Sequence, residues 1–198
     1  MTINLFDALS ADEATTLPRL HERLERDADT ADVLDVAYRT IDTPVGTLLL
    51  AATTAGLVRV AYDIEDHDAV LAGLADRISP RVLRAPARLD SAAGQIDEYF
   101  AKRRTVFEVP VDLRLAEGFR RNVIEHLRDI GYGRRESYAA VAAAIGHPRA
   151  VRAVGTACAH NPLPVVIPCH RVVRSDGSTG QYVGGPLAKS TLLDLEAA

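Results

Sequence analysis

The residues of this 198-residue chain that could do chemistry are gathered in Pro168-Cys169-His170-Arg171. A cysteine attacks carbon only as its thiolate, and ionisation needs a base or a positive field beside the sulfur. His170 is adjacent in sequence, but neighbouring side chains seldom point at each other. A water between thiol and imidazole could carry the proton, with a third group orienting the histidine. A Cys–His pair also fits a cysteine hydrolase, where the two residues are normally distant in sequence. Upstream, Pro162, Pro164 and Pro168 stiffen the backbone around apolar Val165-Val166-Ile167. The thiol therefore emerges behind a buried, rigid run. The second cysteine, Cys158, sits at a helical position among alanines and reads as a small hydrophobe.

The elements that must hold this run are legible from periodicity. Leu34 to Ile41 alternates like a half-buried strand, and Thr43-Pro-Val-Gly46 is a turn signal. Thr47 to Ala52 is a second strand and, after Thr54-Ala-Gly56, Leu57 to Tyr62 a third, which predicts an antiparallel meander. A helix over 67–77, an extended piece over 81–84, a helix over 88–102 and an edge strand over 105–110, closed by Pro110, complete a small α/β unit. Phe119, Val123, Ile124, Leu127 and Ile130 have helical spacing, ended by Gly131-Tyr-Gly133. Ser137 is placed to N-cap a helix from Tyr138 to Ile145. Beyond the turn Gly146-His-Pro148, with Pro148 at its first position, a helix is expected over Arg149 to His160. Two short helices across a tight glycine turn form the helix-turn-helix pattern. Small residues Ala150, Ala153, Gly155 and Ala157 let the second helix approach another surface, and Arg149 and Arg152 could reach phosphates or bases. The same face also fits packing against a neighbouring helix with solvated arginines. Residues 1–32 read as an N-terminal arm or helix carrying Leu17, Leu20 and Leu24, with Pro18 in its first turn.

Two cysteines are too few for a stapled secreted fold, and no Cys/His cluster has zinc spacing. The start of the chain lacks a basic region followed by an apolar run, and no stretch is long enough to span a membrane, so a cytoplasmic location with free thiols is expected. The net charge of −4 argues against nucleic acid, but its distribution is uneven. From Val111 onward there are 11 Lys/Arg against 8 Asp/Glu, whereas the first 110 residues carry 12 against 19. An acidic half joined to a mildly basic half is compatible with a DNA-facing C-terminal part and equally with ordinary surface scatter.

Ile167-Pro-Cys-His-Arg-Val-Val173 resembles the active-site signature of the O6-alkylguanine-DNA alkyltransferase family. Ser137-Tyr138, the Arg149–Gly155 helix, Asn161-Pro162, Tyr182-Val-Gly-Gly185 and Lys189 to Glu196 follow in family order and near-family spacing, across residues 119–196. Tyr38 to Gly46 looks like the less specific N-terminal domain of the same family. The resemblance implies an α+β fold: a small N-terminal α/β domain with an antiparallel, ribonuclease H-like sheet, and a helical C-terminal winged helix-turn-helix domain. The corresponding division is an arm over 1–32, a first domain over 33–112 and a second over 113–198.

By the same matching, Cys169 is the alkyl acceptor, His170 its water-mediated base, Glu196 the carboxylate that orients His170, and Asn161 the brace of the active-site turn. An Asx turn before Pro162 is compatible with that last role. Tyr138 helps rotate the damaged nucleotide out and lines the pocket; Arg152 fills the gap left in the duplex. Arg120, His147 and Ser175 fall where backbone contacts are expected, and Val172, Tyr182 and Val183 at the substrate pocket. Extrusion is needed because the O6 atom lies inside the base stack. The implied activity is DNA repair by direct reversal, a single irreversible transfer of a methyl or other alkyl group from guanine to Cys169. No cofactor and no metal are implied; the partner is double-stranded DNA, bound by a chain that is a monomer in solution, with cooperative assembly on DNA left open. Departures are Val183, where some relatives carry a polar residue, Pro186 in the loop bordering the pocket, and an arm longer than in many members. The rivals are an alkyltransferase-like protein that binds the lesion without repairing it, which lacks the acceptor cysteine, and a transcription regulator using the helix-turn-helix alone, which gives Cys169 no role.

Overall fold

The computed structural model describes residues 5–197. Helix α1, Leu5–Thr30, already runs at Leu5, so Pro18 lies in its interior and not in its first turn. Proline removes one backbone hydrogen bond there, a loss of about 3 kcal/mol. The helix docks where Nε2 of His21 donates to Arg84 O at 2.7 Å and Arg88 Nη2 meets Asp29 Oδ1 at 2.5 Å.

Strands β1 (Val36–Thr43), β2 (Gly46–Thr53) and β3 (Gly56–Tyr62) form the expected meander. The sheet is nevertheless mixed, not purely antiparallel. Helix α2, His67–Arg77, carries the chain from one sheet edge to the other, and β4, Val82–Arg84, joins β1 in parallel, giving the order β3-β2-β1-β4. A crossover of that kind returns the chain in the same direction, as parallel pairing requires. The alternating residues of β2 divide two cores. Leu48, Leu50 and Ala52 join Ile96 and Tyr99 of helix α3 (Asp90–Phe100), whereas Leu49 and Ala51 join Leu74 of α2. A short 3-10 turn, Pro86–Leu89, precedes α3 where a continuous helix was expected.

Residues 105–110 do not form the expected edge strand. Pro110 offers no N–H; its carbonyl accepts from Leu57 N at 2.8 Å, Asp112 N returns a bond to Leu57 O at 2.8 Å, and the pairing ends at the single bridge Leu57–Val111. The approach is close enough that a Cβ on Gly56 would lie 2.4 Å from the Pro110 carbonyl oxygen.

The same core continues into helix α4, Gly118–Leu127, through Val123, Ile124 and Leu127. Helix α5, Tyr138–Ala144, starts where Ser137 Oγ accepts from Ala140 N at 3.0 Å, as its sequence predicts. Helix α6 runs Val151–Ala159, beginning later than expected: Ala150 N first closes a turn onto His147 O at 2.8 Å, which leaves Pro148 and Arg149 outside the helix. Strands β5 (Glu136–Ser137) and β6 (Val172–Val173) pair in parallel, and helix α7, Gly185–Ala197, ends the described chain. The β5–β6 pair sets the start of α5 beside the Cys169 run. Among the described residues no helix is long and apolar enough to cross a membrane.

Candidate active site

Asn161, buried at the end of α6, organises the run that follows it. Its Oδ1 accepts from Leu163 N at 3.0 Å, forming the predicted Asx turn, while Nδ2 donates to Ile167 O at 2.9 Å and to Cys169 Sγ at 3.1 Å. One amide side chain thus closes both ends of a nine-residue loop onto the sulfur. Within the loop, buried Val165 has φ 71°, a left-handed conformation that a β-branched residue adopts only under constraint. Such a residue stores about 1–3 kcal/mol of strain, held here by the packing and hydrogen bonds around it.

A 3-10 turn over Cys169–Arg171 comes next. Three residues per turn send successive side chains in directions about 120° apart, which separates the roles of Cys169, His170 and Arg171. The Cys169 thiol is 2% exposed. Burial pushes its pKa up to about 11, against the pull of the Asn161 N–H and the Lys189 charge. At rest the sulfur is therefore a protonated thiol. Lys189 is fully buried, donates from Nζ to Val172 O at 2.6 Å and lies 5.8 Å from the Tyr138 ring centroid. It has no carboxylate partner among the described residues, and burial lowers its pKa.

His170 points to α7, its Nε2 2.9 Å from Glu196 Oε1. A carboxylate only accepts, so Nε2 carries the proton and Nδ1 bears the lone pair. Nδ1 is buried and has no hydrogen-bond partner among the described residues. Burial dominates in lowering the pKa of His170, outweighing the attraction of Glu196, so the imidazole is neutral. Glu196 is held by more than the histidine. Tyr99 OH donates to Oε1 at 2.7 Å, Arg171 Nη2 to Oε1 at 2.8 Å, Arg171 Nε to Oε2 at 2.9 Å and Gly133 N to Oε2 at 3.2 Å. Burial works against the charged carboxylate, but donors from His170, Arg171 and Tyr99 hold it below the usual range. The remaining guanidinium nitrogen of Arg171 donates to Ile130 O.

Among the predicted residues, Cys169, His170, Glu196, Asn161 and Val172 are gathered in this buried cluster. Tyr182 stands edge-on to His170, ring centroids 6.4 Å apart, and neighbouring Val183 packs on the same core. Tyr138 is half-buried between Gly155 and Gly180, and burial pushes its hydroxyl pKa up to about 12. Arg152, His147 and Ser175 are exposed, away from the cluster. His147 rests edge-on against Phe119, 5.5 Å between centroids. Arg120 is half-buried and turned inward, donating from Nη2 to Leu115 O at 2.8 Å.

Sequence reasoning passed over Tyr99, Tyr62 and Lys189 as parts of the site and gave Arg171, though beside Cys169 and His170, no role. Arg171 and Lys189 lie within recognised motifs and could have been suspected as buried charges. The two tyrosines come from the sheet domain and carry no local signal. The arrangement is a buried thiol adjacent in the chain to a neutral imidazole whose Nε2 is anchored by a carboxylate. Among the described residues no group of three or more His, Cys, Asp or Glu could hold a metal ion.

Comparison with known proteins points one way. The sequence profile of the 6-O-methylguanine DNA methyltransferase ribonuclease-like domain matches residues 36–113, and that of the DNA binding domain of the same proteins matches 118–198. The methylated-DNA–protein-cysteine methyltransferase of Mycolicibacterium paratuberculosis is 38% identical over 161 residues, covering 81% of this chain and 92% of that protein. The constitutive enzyme of Bacillus subtilis is 34% identical over 160 residues, covering 80% and 94%. The crystal structure of Mycobacterium tuberculosis OGT in complex with DNA superimposes with a TM-score of 0.72 at 37% identity, covering 81% of this chain and 92% of that one.

Proposed function

Because this chain belongs to the 6-O-methylguanine DNA methyltransferase family, we propose that it repairs DNA by direct reversal, moving the alkyl group of O6-alkylguanine onto Cys169. The observation that carries this reading is the buried Cys169 sulfur, bonded by Asn161, next to a histidine whose Nε2 is fixed by Glu196 and whose Nδ1 can accept a proton.

Duplex DNA binds through α5 and α6, with Arg152 entering the stack and His147 and Ser175 contacting the backbone, joined by Arg120 once it swings out from its bond to Leu115 O. Tyr138 assists extrusion of the lesion into a pocket bordered by Val172, Tyr182 and Val183. His170 Nδ1 takes the Cys169 proton through a water, and Glu196 stabilises the imidazolium that forms. The thiolate attacks the alkyl carbon in line; the carbon–sulfur bond forms as the carbon–oxygen bond breaks. Guanine leaves with that electron pair and takes a proton from Tyr138, which recovers one from His170 through solvent. The net result is one proton moved from thiol to guanine. A thioether does not revert, so each molecule acts once, and no cofactor is needed because the substrate itself is the alkyl donor. The protein works in the cytoplasm as a monomer built of an arm (1–32), a sheet domain (33–112) and a helical domain (113–198).

Intact mass after incubation with an O6-methylguanine duplex tests the reading. A gain of one methyl, absent in Cys169→Ala, is expected. Full binding of the lesion with unchanged mass would instead place the chain among lesion-binding proteins that do not repair.

A further inference from the structure

Tyr62 ends β3 and brings the sheet domain against Tyr182, a residue of the proposed substrate pocket. Its side chain is 1% exposed, although it comes from the other half of the molecule. The Tyr62 hydroxyl lies 3.0 Å from that of Tyr182, and the two rings meet edge to face with centroids 5.8 Å apart. Burial, and to a lesser degree the charge of an ionised Cys169, keep both phenols protonated.

The loop that carries Tyr182 is fitted to tyrosines on both sides. A Cβ at Gly184 would fall 2.6 Å from Cε1 and Cζ of Tyr62, and a Cβ at Gly180 would fall 2.4 Å from the Tyr138 hydroxyl. Neither glycine has the left-handed φ that favours glycine, so close packing against the rings is what excludes a side chain there. Tyr62 itself has no freedom to withdraw. Its N–H donates to Glu65 Oε1 at 2.9 Å, the other Glu65 oxygen pairs with Arg59, and Val60 N bonds Pro162 O at 2.8 Å.

Resting on the assignment of Cys169 as alkyl acceptor, we infer that Tyr62 is a specificity-determining residue, which seats Tyr182 and Gly184 and so limits the size of the alkyl group the site accepts. The transferred group must lie between the guanine oxygen and the sulfur, and in the proposed pocket its neighbours are Tyr182 and the 180–184 loop. A wall of one aromatic ring can yield to a larger group. A ring hydrogen-bonded to a second, fully buried ring cannot yield without breaking that bond and opening the domain contact. The limit on size is therefore set by the sheet domain, through a residue far from Cys169 in sequence.

Rates of alkyl transfer from O6-methylguanine and O6-benzylguanine duplexes, measured by intact mass, test this. In Tyr62→Leu the benzyl-to-methyl rate ratio is expected to rise about tenfold, the scale on which an apolar pocket discriminates size. Tyr62→Phe keeps the ring, loses only the hydroxyl contact, and should raise the ratio about twofold to threefold on the same scale. A ratio unchanged in both variants, or both rates falling by one common factor, overturns the inference. Should Tyr62→Leu fail to fold, the ratio in Tyr62→Phe decides alone. A wild-type protein that takes up no alkyl group overturns the assignment of Cys169 itself, and is distinguished by its own unchanged mass.

Discussion

Cys158 and Cys169 are both buried, at 5% and 2% exposure, and burial raises the pKa of both. Lys189 lowers the pKa of both, so its charge does not distinguish them. The difference lies in what the local backbone allows. Cys158 sits on the inner face of α6 within a regular helix, and no hydrogen bond reaches its sulfur from the described side chains. Cys169 sits in a 3-10 turn that points its sulfur at the Asn161 amide and its neighbour at Glu196. A buried thiol is inert by default. A short irregular segment, held by one asparagine, is what separates the proposed nucleophile from a packing residue.

The sharpest way to break this comparison is at the base. His170→Ala should slow methyl transfer about 10²- to 10⁴-fold, the range for losing a general base, in single-turnover mass measurements. An unchanged rate would leave the Asn161 hydrogen bond as what sets the two thiols apart. Glu196→Ala comes next. It strands the buried Arg171 charge, and loss of one partner of such a pair costs about 3–5 kcal/mol, readable by denaturant unfolding.

The same cluster predicts how stability responds to acid. The pKa of His170 is lowered in the folded state, so its contribution is complete above the unfolded value of about 6.5 and is lost as pH falls below it. Glu196 is likewise depressed, so its contribution is complete above about 4.3 and is lost further down, through the folded pKa. Denaturant midpoints should therefore decline in two stages on acidification, and His170→Ala should remove the first.

Asn161→Ala has a smaller effect on folding, about 1–3 kcal/mol for the buried groups left unpaired. It also removes the donor to the sulfur, and the pH profile of methyl transfer should move to higher pH. Cys158→Ala marks the other end of the comparison. It should cost about 1 kcal/mol of stability in thermal unfolding, from lost apolar burial, and leave the transfer rate unchanged.

Much of the fold is legible along the chain because its signals are local. Ser137 capping α5, the glycine turns of the meander and the apolar spacing of α4 each concern residues a few positions apart. The misplacements are those where a distant partner decides. Residues 105–110 look like a strand, yet the bridge to β3 falls just past them, at Val111. Pro148 could open a helix, but the turn from His147 to Ala150 forms first. The direction of β4 depends on which sheet edge α2 delivers it to, and no residue within β4 records that.

In the site, the sequence by itself singled out Cys169 and His170 as candidate nucleophile and base, the proline-stiffened run and, through resemblance, Asn161 and Glu196. Those residues lie in or near one motif, where spacing and residue type carry the information. Only the tertiary structure decided that Arg171 and Tyr99 share the carboxylate of Glu196, that Lys189 is a buried cation against Val172, and that Tyr62 backs Tyr182. Hydrogen bonds such as Tyr99 to Glu196 and Tyr62 to Tyr182 join residues that are close only once the two halves pack on one core. Periodicity and spacing describe a chain near itself; which buried tyrosine of one domain meets which carboxylate or ring of the other is fixed by how the domains close.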